Sequence, residues 1–273
     1  MICRAFFIMI LVVIILFPVL QLPTKAMAQA PISKGNTDAP SSKTNSIDDL
    51  IKKGVDLAKL GKYNDAISLF DQALVIEPNN TNALIDKGLT LGVIGKGNEA
   101  MTSYDKALSI NPNDIQALKG KASVLVDLQK YNEAMVLFDK VLSMNPNDTE
   151  ALSRRASVLG SLNRYDEAIN TLDKALSINP NDTHALELKA ILLALLRKFD
   201  AAIGVFDKAL AINPNDTKIM TEKAGSLIAL GRYIEAIGWL DKALSINPTL
   251  QEAAHLKADA MQALKNKSSA KNG

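Results

Sequence analysis

The chain has 273 residues, of which 48% are hydrophobic, 22% charged and 5% aromatic, with a formal net charge of +2. Arg4 and Lys25 are the only charges among residues 1–28, so the remainder carries 29 basic and 29 acidic residues. A neutral body has no electrostatic drive toward nucleic acid, and Cys3 as the only cysteine excludes a disulfide framework or a cysteine–zinc site there.

Residues 5–22 hold 16 apolar residues out of 18, preceded by Arg4 and followed by Thr24-Lys25-Ala26-Met27-Ala28-Gln29-Ala30. A basic start, an apolar run and alternating small residues describe a secretory signal peptide over 1–28, cut after Ala28 or Ala30. The rival is an uncleaved membrane anchor, although an 18-residue helix falls slightly short of the roughly 20 residues a span needs. Either way the chain is expected to be exported: secreted, periplasmic, or held at the cell surface. Residues 29–46 contain one large apolar residue, Ile32, and read as a flexible linker.

Pro78, Pro112, Pro146, Pro180, Pro214 and Pro248 are spaced 34 residues apart without a slip. Aligned on them, the chain falls into six units, 47–80, 81–114, 115–148, 149–182, 183–216 and 217–250, with a further helix over 251–265. Certain positions are restricted in size as well as polarity. The eighth is Gly54, Gly88, Ala122, Ala156, Ala190 and Ala224; the twentieth is alanine throughout, Ala66 to Ala236. The twenty-seventh is Ala73, Ala107, Val141, Ala175, Ala209 and Ala243.

Leu50, Gly54, Leu57 and Leu60 mark an apolar stripe on a first helix, and Ala66, Phe70, Ala73 and Leu74 mark one on a second. Gly61 stands where the first helix must end in left-handed backbone. The proline closes the second helix. Gln129 and Arg197 occupy the place of Gly61, Gly95 and Gly231, a site that disfavours a side chain. Gly97 replaces the aromatic residue found at Tyr63, Tyr131, Tyr165, Phe199 and Tyr233, which makes the second unit the expected weak point.

With its period, its small-residue positions, its aromatic position and its closing proline, the chain resembles the tetratricopeptide repeat (TPR) family. The resemblance covers residues 47–250, with 251–265 similar to the terminal solvating helix of such arrays. It implies an all-α fold, a right-handed α-solenoid superhelix of six helix-turn-helix units plus that helix. Residues 266–273 read as a disordered tail. Leucine or methionine, Leu50 to Met220, stands where the family often has tryptophan. The implied function is a non-catalytic scaffold that binds a protein or peptide partner, with no cofactor and no metal.

The resemblance also implies a partner-binding groove lined by positions two, five, nine and twelve of the first helices. In the first three units these are Asp48, Ile51, Val55, Ala58, Asn82, Ile85, Leu89, Gly92, Gln116, Lys119, Ser123 and Val126. In the last three they are Glu150, Ser153, Ser157, Gly160, His184, Glu187, Ile191, Ala194, Lys218, Thr221, Gly225 and Ile228. The alternative is that the apolar members, Ile51, Val55, Ile85 and Leu89, simply pack between neighbouring first helices. Position nine has no asparagine, which argues against recognition of a peptide's C-terminal carboxylate.

The seventh position is basic throughout and the twenty-fifth is aspartate throughout, so a ladder of ion pairs is expected within or between units. Asn79, Asn147, Asn181, Asn215 and Asn266 each open an Asn-x-Ser/Thr triplet, a glycan acceptor in an exported chain. Turn and capping chemistry explains the first four equally well. His184 and His255 lie some two units apart, too far to share a metal. No phosphate loop, nucleophile elbow or zinc-protease motif occurs, and Trp239 reads as packing. Two further roles fit the same reading: a membrane-tethered assembly factor, or a structural surface glycoprotein. Because one unit cannot bury both faces of its helices, a peptide of residues 81–114 alone should show little helix by circular dichroism.

Overall fold

The computed structural model describes residues 42–269, and the expectations for residues 1–41 and 270–273 lie outside them. Thirteen α-helices and no strand occur among the described residues. The first helices of the hairpins are α1 (Ser42–Lys59), α3 (Thr81–Val93), α5 (Ile115–Asp127), α7 (Thr149–Ser161), α9 (Thr183–Leu195) and α11 (Thr217–Ala229). Their partners are α2 (Tyr63–Ile76), α4 (Gly97–Ile110), α6 (Tyr131–Met144), α8 (Tyr165–Ile178), α10 (Phe199–Ile212) and α12 (Tyr233–Ile246). A last helix, α13, runs from Gln251 to Ser269. Packing divides the described residues between Pro146 and Asn147 into two compact units, α1–α6 and α7–α13.

Each first helix after α1 starts on a side-chain cap. Asn80, Asp114, Asp148, Asp182 and Asp216 accept the amides of Ala83, Ala117, Ala151, Ala185 and Ile219 at 2.8–3.1 Å. Such a cap contributes about 1 kcal/mol and satisfies an amide that the helix leaves unpaired. The second helices lack a side-chain cap and start on Lys62, Lys96, Lys130, Arg164, Lys198 and Arg232. Acids one turn in offset that cation at the helix N-terminus, as where Arg164 and Arg232 grip Glu167 and Glu235.

Alanine sets how closely the helices approach. Ala66, Ala100, Ala134, Ala168, Ala202 and Ala236 are completely buried, as are Ala73, Ala107, Val141, Ala175, Ala209 and Ala243. Between these two rows the second helices insert Phe70, Tyr104, Phe138, Leu172, Phe206 and Leu240, all essentially inaccessible. Each such side chain contributes about 1.5–3 kcal/mol by leaving water. Tyr104 fills its space so fully that a Cβ on Gly120 would lie 2.4 Å from its Cζ. Around Gly97, Val124 and Leu128 approach to 3.5 Å of where a Cβ would sit, so the next hairpin occupies part of the missing aromatic's place.

The ion-pair ladder runs between consecutive hairpins. Each pair joins a first-helix lysine to the aspartate of the second helix sixteen residues before it. Lys87–Asp71 and Lys121–Asp105 lie at 2.6 and 2.5 Å in the first unit. In the second, Lys189–Asp173 and Lys257–Asp241 lie at 2.5 and 2.6 Å, and Lys223 pairs with Asp207. Most are partly exposed and contribute about 0–1 kcal/mol each. Arg155, at the same repeat position, donates to Thr171 Oγ1 at 3.1 Å.

Both ends of the array depart from the sequence reading. Helix α1 begins at Ser42, inside the segment expected to be linker, because nothing between Pro40 and Ile47 breaks a helix. Helix α13 continues past Lys265 to Ser269, where Gln262 donates to Asn266 Oδ1 and Ser268 and Ser269 donate to the Lys265 carbonyl. Ala253 and Ala260 bury its inner face.

The turn between paired helices takes left-handed backbone in all six hairpins, with φ of 75°, 77° and 73° at Gly61, Gly95 and Gly231. Gln129, Asn163 and Arg197 adopt it at 59–60°. Asn163 is the mildest of the three, since asparagine tolerates this region. Nothing lies within 4 Å of a Cβ built on Gly61, Gly95 or Gly231, so backbone conformation alone sets the cost. Arg197→Gly should therefore stabilise the protein by about 0.5–1 kcal/mol, read as a higher urea midpoint. A lower midpoint would show that the arginine side chain outweighs its backbone strain.

Candidate functional site

The two units present the first-helix positions expected to line a groove differently. In the first unit Asp48, Asn82 and Gln116 are exposed, whereas Ile51, Val55, Ala58, Ile85, Leu89, Gly92 and Val126 are half-buried. Ile51 and Ile85 also press on the apolar clusters beneath them. Lys119 and Ser123 are buried, at 8% exposure each. In the second unit Glu150, His184 and Lys218 are exposed, and Ser157, Glu187 and Ile191 are half-buried.

The remaining second-unit positions correct the groove reading. Ser153 and Thr221 are 5% and 2% exposed, and Gly160, Ala194, Gly225 and Ile228 are buried as well. These small side chains lie where first helices approach one another. Thr221 Oγ1 donates to the Thr217 carbonyl and Ser123 Oγ to that of Lys119, which satisfies each hydroxyl within its own helix. Position five is buried at Lys119, Ser153 and Thr221, and Ser153 Oγ has no hydrogen-bond partner.

Position six, absent from the sequence reading, carries two acids under electrostatic stress. Asp86 on α3 is pushed up to about 6 by burial, with Lys59 opposing the shift. Glu222 on α11 is raised well above the ordinary carboxylate range by burial and by Glu187, with Lys218 opposing. The signal was present in the sequence as irregularity, since this position reads Lys52, Asp86, Gly120, Arg154, Leu188 and Glu222. Lys218 Nζ lies 2.5 Å from Glu187 Oε1, an ion pair between neighbouring first helices of the second unit.

Elsewhere, Trp239 packs against the core of the second unit, with Lys223 Nζ 3.8 Å from its ring centroid. His184 and His255 are exposed on α9 and α13. No group of three His, Cys, Asp or Glu among the described residues could hold a metal ion. Asn79, Asn147, Asn181, Asn215 and Asn266 are all exposed.

With this geometry in place, comparison with known proteins gives the family. The tetratricopeptide repeat family model matches residues 57–124, 94–151, 125–192 and 193–260. The chain belongs to that family, and it is a non-catalytic protein–protein interaction scaffold. No curated protein matches the sequence. Among solved structures, a tetratricopeptide repeat protein from Parabacteroides merdae is 25% identical over 82% of this chain and 89% of its own, with a TM-score of 0.67. YrrB, a TPR protein with an unusual peptide-binding site, is 25% identical over 69% of this chain and 97% of its own, at a TM-score of 0.56. PilF of Pseudomonas aeruginosa shares the fold at 17% identity, covering 80% of this chain and all of its own, with a TM-score of 0.69.

The Asp86 shift fixes a direction for pH dependence. Its carboxyl titrates near 3.8 when unfolded and near 6 in the fold, so the folded chain holds this proton more tightly. The resulting stability is fully present below pH 3.8 and is lost as pH rises through 6. Asp86→Asn should raise stability at pH 7.5 by about 1–3 kcal/mol, and urea unfolding should show a smaller gain on acidification to pH 5 than in the parent. Identical pH slopes for the two proteins would exclude burial of Asp86 as the cause.

Proposed function

We propose that the chain is delivered by residues 1–28 to the cell envelope or beyond it, and there captures a segment of a partner protein on its first-helix face. Export rests on the basic start, the apolar run of residues 5–22 and the Ala-x-Ala pairs around Ala28. If the apolar run is retained, the same scaffold acts as a membrane-tethered assembly factor, and the N-terminal segment is its only membrane contact.

One observation carries the binding reading: Ile51 and Val55 on α1, and Ile85 and Leu89 on α3, stay half-exposed at helical spacing within the first unit. Apolar side chains at i and i+4 on adjacent helices suit an extended or helical segment with apolar anchors. Asn82 and Gln116 beside them provide polar contacts at the rim. YrrB, with its peptide-binding site, supports a peptide-sized occupant. A second reading, a glycosylated surface protein, draws on the exposed Asn79, Asn147, Asn181 and Asn215, which recur in the turns rather than on the first-helix face.

Val55→Asp combined with Leu89→Asp tests the binding reading without touching buried Lys119. Partner capture by the exported chain should fall about tenfold or more, because two desolvated apolar contacts are each worth about 1.5–3 kcal/mol. Helicity by circular dichroism should be unchanged. Undiminished capture would move the binding surface elsewhere.

A further inference from the structure

Leucine satisfies position six where the repeat needs only packing: Leu188 on α9 is 7% exposed. One repeat later, on α11, the residue is Glu222, whose Oε2 is buried and has no hydrogen-bond partner. An acceptor left in that state costs stability, and nothing in the repeat demands an acid there.

The surroundings make the cost larger. Glu187 on α9, Glu252 on α13 and Asp216 at the start of α11 all add negative charge, and Lys218 is the cation that faces them. Lys218 already sits 2.5 Å from Glu187 Oε1. Burial raises the carboxyl of Glu252 as well. Glu222 Oε2 is thus buried among acids and lacks a donor, while the side chains of Lys218 and Glu252 beside it are exposed.

We propose that α9, α11 and α13 form a recognition site for a lysine or arginine side chain of the bound partner segment, with Glu222 at its closed end and Glu187 and Glu252 flanking it. The proposal rests on the first-helix face being the partner surface, and it names the partner's chemistry there. A guanidinium or ammonium group donates to Oε2 of Glu222, which releases its proton to solvent as the cation enters. Glu187, Lys218, Asp216 and Glu252 are the charged groups that act on Glu222, and binding strengthens with rising pH until Glu222 ionises in the unbound protein.

The test uses the full chain and an acetylated Ala/Ser dodecapeptide with one central arginine, against the same peptide carrying neutral citrulline. Calorimetry should show the arginine peptide binding about tenfold more tightly, with proton release seen as a buffer-dependent heat. In Glu222→Leu that preference should vanish while helicity stays intact, since Leu188 shows that leucine fits. Glu222→Gln, which keeps the shape and removes the charge, should lose it too. Equal affinity for both peptides, no binding of either, or an arginine preference that survives both substitutions would overturn the proposal. If the arginine preference fails while Val55→Asp with Leu89→Asp still abolishes capture, only the cation site falls. If the preference depends on Glu222 while that double variant captures normally, the cation site stands and the apolar-face reading falls.

Discussion

Close approach of helices through alanine is the constraint on which each hairpin depends. Completely buried methyl groups at positions twenty and twenty-seven leave no room for a longer side chain, so the helix axes sit close and one aromatic or leucine between the two rows fills the gap. Glycine at Gly54 and Gly88 follows from the same geometry, since a Cβ there would meet the rings of Phe70 and Tyr104 at 2.6 and 3.0 Å. Tyr104 extends the logic across a hairpin boundary, because its ring requires Gly120 on the next first helix. Core positions are therefore fixed in volume, and function is confined to positions that packing leaves free.

Charge follows the same division. At positions seven and twenty-five lysine and aspartate neutralise one another and tie consecutive hairpins together within each unit. At position six the residue type changes from repeat to repeat, and there the half-buried Asp86 and Glu222 are held at an electrostatic cost. Regularity thus marks what the fold needs, and departures from it mark what the fold tolerates for another reason.

Hairpins, closing prolines and small-residue rows were legible because each depends on residue type at a fixed spacing, whereas the helix caps fall one residue after the sequon asparagines, at Asn80, Asp148, Asp182 and Asp216. The ion pairs were legible only as paired columns, since spacing alone did not say whether they close within a hairpin or between two. The candidate face was legible in part. Ile51, Val55, Ile85 and Leu89 remain accessible, but Ser153 and Thr221 do not: Thr221 Oγ1 turns back to the Thr217 carbonyl, whereas Ser153 Oγ is buried without a partner, a difference that residue type alone does not reveal. Asn163 escaped notice as a left-handed turn residue because asparagine is common in many turn conformations. The stress on Asp86 and Glu222 depends on neighbours from other helices, which no single stretch of sequence contains.

The sixteen-residue reach of the lysine–aspartate pairs has an evolutionary corollary. Excising residues 81–114 would bring Lys121 into the place of Lys87, at the same offset from Asp71. The junction would join surfaces already matched in charge. Whole-unit duplication or loss is thus a far gentler change for this architecture than inserting or deleting a few residues, which would shift every later partner out of register.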